Sequence, residues 1–337
     1  MTGDDIREVL PEVFRIPVPL AGNPLKELNC YLFRGRKEAG ERNLLVDTGF
    51  RTEGCRLAVL EGLGLLGVSM EDTDILLTHL HADHSGNVAD LTAPGGKVFV
   101  SRIDHRYMDG SLQGNKTARF REHGISEDMI QAMLACTPSR TMAAPLSFTG
   151  YTLLEDGAVL PAGRYQVRAV WTPGHTPGHL CFEILNTGAM ILGDHVLFDI
   201  TPNITDWWDV PDSLGNYLRS LDKLDAYPVT LTLPGHREAG DMKLRIRQLK
   251  EHHKKRLADC LRIVRELQHD PVKKPCLYDI TGCMKWKIHC DGWDDFPPAQ
   301  RWFALGECFA HLDHLKQEGL IREVCGEHGV HYEPVEK

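Results

Sequence analysis

The 337-residue chain, with 25% charged and 42% hydrophobic side chains, has an ordinary globular composition and enough length for one large domain plus a smaller one. Its formal charge of −9 and pI near 6.0 argue against a nucleic-acid surface along the whole chain. The opening residues are acidic and lack a signal-peptide core, and no run of about 18 apolar residues occurs, so a soluble cytoplasmic protein with no membrane partner is expected. Ten scattered cysteines without short spacing predict free, mostly buried thiols.

Residues 13–20, 29–34 and 43–46 read as short strands, separated by Pro24 and Gly35. The run Leu44-Leu45-Val46 ends in Asp47-Thr48-Gly49, and residues 55–66 carry apolar side chains at helical spacing. Residues 74–78 form the next strand, which delivers His79-Leu80-His81-Ala82-Asp83-His84 at its end. Residues 97–101 follow as a strand, and from Arg102 to about Leu146 the pattern turns helical and polar, which predicts a lid insertion. Strands resume at residues 151–155, 158–160, 165–171, 180–185, 189–192 and 230–233. Between the last two, Asp212-Ser213 starts a helix whose stripe of Leu214, Tyr217, Leu218, Leu221 and Leu224 belongs in a core.

A long helix from about Asp241 to Gln268 links the first domain, residues 1–245, to a second, residues 246–337. Beyond Pro271, helices are expected over 277–288 and 298–317 and a hairpin after Gly319; this order suggests a winged helix. His311 and His314 on the longer helix are assigned solvent or interface positions. Cys283 and Cys290, with His289 nearby, form a weak zinc pattern and are read as plain thiols.

Three histidines and an aspartate within six consecutive positions have no packing explanation in either helical or strand period, whereas neutral imidazoles and carboxylates are the usual ligands of zinc and related ions. Further strand ends add Thr172-Pro173-Gly174-His175, Gly193-Asp194 and Pro234-Gly235-His236. Seven such groups exceed the needs of one ion. They fit two, one held by His79, His81 and His175, the other by Asp83, His84 and His236. Asp194 bridges, because a carboxylate has two oxygens to offer. Two divalent ions about 3.5–4 Å apart lower the pKa of a shared water towards about 7, so no protein nucleophile is required.

These motifs, together with Asp47-Thr48-Gly49 and Thr176-Pro177-Gly178-His179, resemble the five ordered motifs of the metallo-β-lactamase-fold hydrolases over roughly residues 10 to 240. The resemblance implies an α/β, four-layer αββα sandwich with its site along one edge and a hydroxide nucleophile oriented by Asp83. It also implies a supporting role for Asp47 behind the ligands. His179 is assigned a hydrogen bond behind the ligands, and His195, Trp207 and Trp208 are candidate substrate contacts. The tail resembles the C-terminal winged helix of the lactamase-beta-like branch.

The leading function is therefore a binuclear metal-dependent hydrolase of a small-molecule ester, thioester or lactone, with zinc the expected ion and manganese or iron the alternatives. A metal-dependent endoribonuclease or phosphodiesterase comes second, resting on a basic track of Lys243, Arg245, Arg247, Lys250, Lys254, Lys255 and Arg256. A flavodiiron-type redox protein is disfavoured by the lack of a glutamate ligand and of a flavodoxin-like half. A non-catalytic binding module is disfavoured by seven intact ligand positions. Covering the site or forming a homodimer is the role expected of the tail.

Overall fold

Short apolar strands punctuated by glycine and proline build the first of two units, which comprises Met1–Leu112, Pro138–Pro202 and Asp222–Ile246. The computed structural model describes residues 3–112, 116–137, 141–270, 272, 275–288, 290–326 and 329–336. Pro271 and His289 lie outside them. In the first sheet β1 (Arg7–Leu10), β2 (Val13–Pro19), β3 (Glu27–Phe33) and β4 (Asn43–Val46) run antiparallel. Parallel pairing then continues through β5 (Thr73–Leu76), β6 (Val98–Ser101) and β7 (Tyr151–Leu154). The second sheet has the order β12 (Leu231–Pro234), β11 (Ala189–Gly193), β10 (Leu180–Ile184), β9 (Tyr165–Trp171), β8 (Val159–Ala162), and only β11 and β12 are parallel. The strand β1 carries no apolar alternation and was not foreseeable from pattern.

The two sheets pack face to face through Phe33, Val46 and Leu76 of the first and Val167, Phe182 and Ile191 of the second. Alternate residues on the outer faces are buried as well: Cys30, Leu45 and Ile75 lie under α1 (Glu53–Leu65) and its neighbours, and Cys181 and Met190 are fully covered. Sheets buried on both sides read as continuous apolar runs, which is the pattern of Leu44-Leu45-Val46 and Met190-Ile191-Leu192. The order is therefore helix, sheet, sheet, helix. Each buried phenylalanine or leucine contributes about 1.5–3 kcal/mol by leaving water.

Short helices α2 (Ala82–Ser85) and α3 (Val88–Leu91) follow β5, and α4 (Arg102–Met108) follows β6 with Ser101 capping its first turn through a bond to the Asp104 amide. The second unit comprises Gln113–Thr137, Asn203–Leu221 and Arg247–Lys337, so the unit boundary falls within α7 (Ser213–Asp225) and α8 (Met242–Leu267). Its core joins Phe120 of α5 (Lys116–Glu122) and Ile130 and Met133 of α6 (Glu127–Ala135) to Ile263 and Val264 of α8 and Leu305, Phe309 and Leu312 of α10 (Pro298–Gln317). The middle of the expected lid segment is thus core-forming in that unit, since its apolar residues recur at helical spacing.

The tail has the expected order of helix, helix and hairpin: α9 (Leu277–Cys283), α10, then β13 (Ile321–Gly326) paired with β14 (Gly329–Pro334). Expected to reach residue 288, α9 stops at Cys283, because Met284 turns extended at φ −73°, ψ 151°. His311 corrects the sequence reading: it is completely buried, its Nδ1 bonded to the Glu307 carbonyl at 2.7 Å. His314 is largely covered and bonds Asp212 at 2.7 Å. Of the ten free cysteines only five are buried; Cys136, Cys290 and Cys325 are exposed. No helix among the described residues is long and apolar enough to cross a membrane.

Candidate metal centre

Asp47 follows β4, His79 to His84 follow β5, the loop 172–179 joins β9 to β10, Asp194 follows β11, and His236 follows β12. Parallel pairing of β4 with β5 and of β11 with β12 puts four of these strand ends at the same rim, and Leu180 N donates to Thr78 O at 2.9 Å between the sheets. Seven residues from four separate stretches of sequence meet there. Three sets each offer ligand atoms within 4.8 Å of one another: His79, His81, His175; His79, His84, Asp194; and Asp83, His84, His236.

Two of the imidazoles are aimed by a bond on the other nitrogen. His84 Nδ1 donates to Asp47 Oδ2 at 2.8 Å, and His236 Nδ1 donates to the Glu27 carbonyl at 2.7 Å, so both Nε2 atoms turn inward. Asp47 is itself pinned by the Thr78 amide at 2.9 Å and hydroxyl at 2.8 Å. Inside the cluster His84 Nε2 stands 3.4 Å from Asp194 Oδ1, His175 Nε2 lies 3.7 Å from Asp194 Oδ2, and His236 Nε2 lies 3.3 Å from Asp83 Oδ2. His79 Nε2 and His81 Nδ1 are 3.1 Å apart.

His84 Nε2, His236 Nε2 and Asp194 Oδ1 are buried and make no hydrogen bond. Leaving such atoms unsatisfied costs about 1–3 kcal/mol each, so a cluster of them facing one point is built for an additional partner. Charge agrees with that. Burial, then neighbouring imidazoles, hold His79 well below its usual value, and burial lowers His81 to about 3; neutral imidazole is the form that binds a cation. Burial also opposes charge on His84, yet the Asp194, Asp47 and Asp83 carboxylates raise its pKa, because these anions draw positive charge to the site. Gly235 keeps the space open: a Cβ there would stand 2.6 Å from Asp194 Oδ1 and 2.9 Å from His84 Cε1. The donor set therefore fits divalent metal.

A match to the metallo-beta-lactamase superfamily covers residues 26–236. The chain belongs to that superfamily. Among solved structures it resembles a metallo-beta-lactamase family protein from Thermus thermophilus, 29% identical with a TM-score of 0.77 over 97% of this chain and 100% of that one. A beta-lactamase domain protein from Burkholderia ambifaria is similar at 26% identity and a TM-score of 0.77, covering 99% of this chain and 96% of that one. Curated relatives include lactamase-like protein nscB of Neosartorya fischeri, 26% identical over 73% of this chain and 60% of that protein. Another is the atrochrysone carboxyl ACP thioesterase AacuM of Aspergillus aculeatus, 27% identical over 69% of this chain and 58% of that protein. The chain thus spans about 60% of the length of these two relatives.

His179 is fully buried, bonded to Thr172 Oγ1 at 3.0 Å, and its Nε2 accepts from the Asp194 amide at 3.2 Å, which fixes the backbone behind that carboxylate. His195 is completely buried next to His179, with ring centroids 5.5 Å apart. Trp207 and Trp208 fall in the second unit, their rings 6.1 Å apart. Cys283 and Cys290 join no metal-ligating group among the described residues. Sequence reading missed Asp104, a completely buried carboxylate on α4, whose only local signal is the helix-capping pair it forms with Ser101.

Proposed function

We propose that this protein is a binuclear metal-dependent hydrolase of a thioester, within the wider class of small esters, thioesters and lactones. His79, His81 and His175 would hold one ion and Asp83, His84 and His236 the other, with the Asp194 carboxylate available to both. The observation that carries this reading is the convergence of buried Nε2 and Oδ1 atoms that bond nothing else. When bound, such ions supply Lewis acidity and a water of lowered pKa. The thioester preference draws on the relatives named atrochrysone carboxyl ACP thioesterase. Zinc is the expected ion, with manganese and iron as alternatives.

The chain's own residues do the rest. Burial works against ionisation of Asp83, but His84 and His236 lower its pKa to about 2, so it stays a carboxylate able to accept a hydrogen bond from the attacking water and orient it. Its side chain is 14% exposed, whereas those of His84 and His236 are 0%, so Asp83 faces the open side of the cluster and the imidazoles exclude water behind it. Asp47 and the Glu27 carbonyl hold His84 and His236 in single tautomers, so no reorganisation accompanies reaction. The basic residues of α8 favour the nuclease reading less: Arg256 is engaged by Glu307 at 3.0 Å and by the Lys285 carbonyl at 2.8 Å, and Lys255 lies 3.4 Å from Glu251.

The test is metal analysis of the purified protein followed by an ester, thioester, lactone and phosphodiester panel. Two equivalents of a divalent metal and thioester turnover that disappears with chelation and returns with metal are expected. Thioester turnover unchanged after complete metal removal would overturn the reading.

A further inference from the structure

Asp104 has no part in the ligand set, yet it is bonded to both loops that carry the His79, His81 and His175 group. Its Oδ2 accepts from the Leu80 amide at 2.9 Å and from the Thr176 hydroxyl at 2.8 Å, and its Oδ1 accepts from the Gly178 amide at 2.6 Å. Leu80 is the residue between His79 and His81; Thr176 directly follows His175. One carboxylate therefore ties together, through neighbours of all three imidazoles, two loops whose bonded residues Leu80 and Thr176 stand more than ninety positions apart in the chain. No comparable bond runs from it to Asp83, His84 or His236 among the described residues.

The approach of the two loops is built around this group. A Cβ at Gly178 would lie 2.2 Å from Ser101 Oγ, 2.4 Å from Asp104 N and 2.6 Å from Asp104 Oδ1, so only glycine lets the loop reach the start of α4. Ser101 in turn caps the helix at 3.0 Å and sets where Asp104 stands. A buried carboxylate is costly, and burial pushes Asp104 up to about 7 even though its three donors pull the other way. An apolar residue would fill the same space without that cost.

We propose that Asp104 is a positioning residue that sets the spacing of His79 and His81 from His175, and through it the affinity of the ion they hold. This rests on the metal-centre reading. Groups that orient ligands without touching the ion typically change metal affinity by about 10–100-fold when removed. Asn in place of Asp keeps one acceptor for Leu80 and Thr176 but turns an amide N–H toward the Gly178 N–H, so it should be an intermediate case.

The test is zinc titration against a competing chelator at neutral pH for the wild type, Asp104→Ala, Asp104→Asn, Thr176→Val and His81→Ala, with folding followed by thermal melting. The wild type should bind two equivalents. In Asp104→Ala one equivalent should weaken about 10–100-fold and the other should stay unchanged. Asp104→Asn should fall between, and Thr176→Val should lose about 5-fold at the same site, the effect of one hydrogen bond. Adding Asp104→Asn to His81→Ala should not alter the remaining equivalent, which locates the effect at the three-histidine site.

Two wild-type equivalents combined with unchanged affinities in folded Asp104→Asn and Thr176→Val would overturn the proposal, as would equal weakening of both equivalents in step with a lower melting temperature. Should Asp104→Ala fail to fold, the Asn and Val variants decide. A wild type that binds no zinc, manganese or iron would instead remove the metal-centre reading, and this inference with it.

Discussion

Two groups of buried histidines in this molecule answer the same physical problem in opposite ways. At the rim of the sheets, His84 and His236 spend Nδ1 on a carboxylate or a carbonyl and leave Nε2 turned inward beside Asp83 and Asp194. In the second unit, His311 Nδ1 donates to the Glu307 carbonyl, which leaves its Nε2 to accept from His253 Nδ1 at 3.2 Å. Both nitrogens of His311 are thereby satisfied and His253 Nε2 is left buried without a partner, with no carboxylate in hydrogen-bonding contact with either ring among the described residues. Burial holds His253 well below its usual value and lowers His311 to about 3, so both are neutral packing residues. Burial alone therefore does not mark a metal-binding histidine. Convergent open nitrogens next to anions do.

The largest expected contrast is metal linkage. Zinc supplied at about 1,000 times its dissociation constant should stabilise the wild type by about 4 kcal/mol, read as a rise in melting temperature. That rise should shrink in His84→Ala, which keeps only the three-histidine set intact, and persist in full in His311→Gln; the reverse result would exchange the roles assigned to the two groups. On activity, Asp83→Asn should lower kcat by roughly 10²–10⁴-fold while the protein still folds, measured on the best substrate of the panel. A smaller effect is expected one layer back: Asp47→Ala should cost about 10–100-fold in metal affinity or turnover, because His84 loses the partner that fixes its tautomer.

The second group should reveal itself in acid. The folded-state pKa of His311 lies below the usual 6.5, so between pH 6.5 and about 3 the unfolded chain takes up a proton that the folded chain refuses. Stability is then complete above pH 6.5 and falls as pH drops, by about 1.4 kcal/mol per pH unit for each such histidine. Denaturant titrations of the chelator-treated protein should show a shallower slope for His311→Gln than for the wild type. An unchanged slope would mean that His311 is not excluded from protonation.

The sandwich and the rim were legible because both leave local marks. Strands covered on two faces give uninterrupted apolar runs, and a cluster such as His79-Leu80-His81-Ala82-Asp83-His84 fits no packing period, so its residue types point to ligation. Other features left no such mark. His311 sits in a helix that reads as amphipathic, and nothing in its neighbours announces that Glu307 and His253 will satisfy it. Phe120, Ile130 and Met133 look like the inner side of a loose insertion until the core they join is known. Asp104 reads as one more acidic residue in the first turn of a helix.

The sequence by itself determined which side chains are available for the chemistry and that they stand at strand ends, since residue type and hydrophobic period are local properties. Only the tertiary structure decided which of them meet, because Asp47, His79, His175, Asp194 and His236 are brought together by strand pairing across the chain. It also decided which imidazole nitrogens stay open. A hydrogen bond from a distant carbonyl or carboxylate is invisible in the order of residues, and that bond separates a ligand from a packed ring.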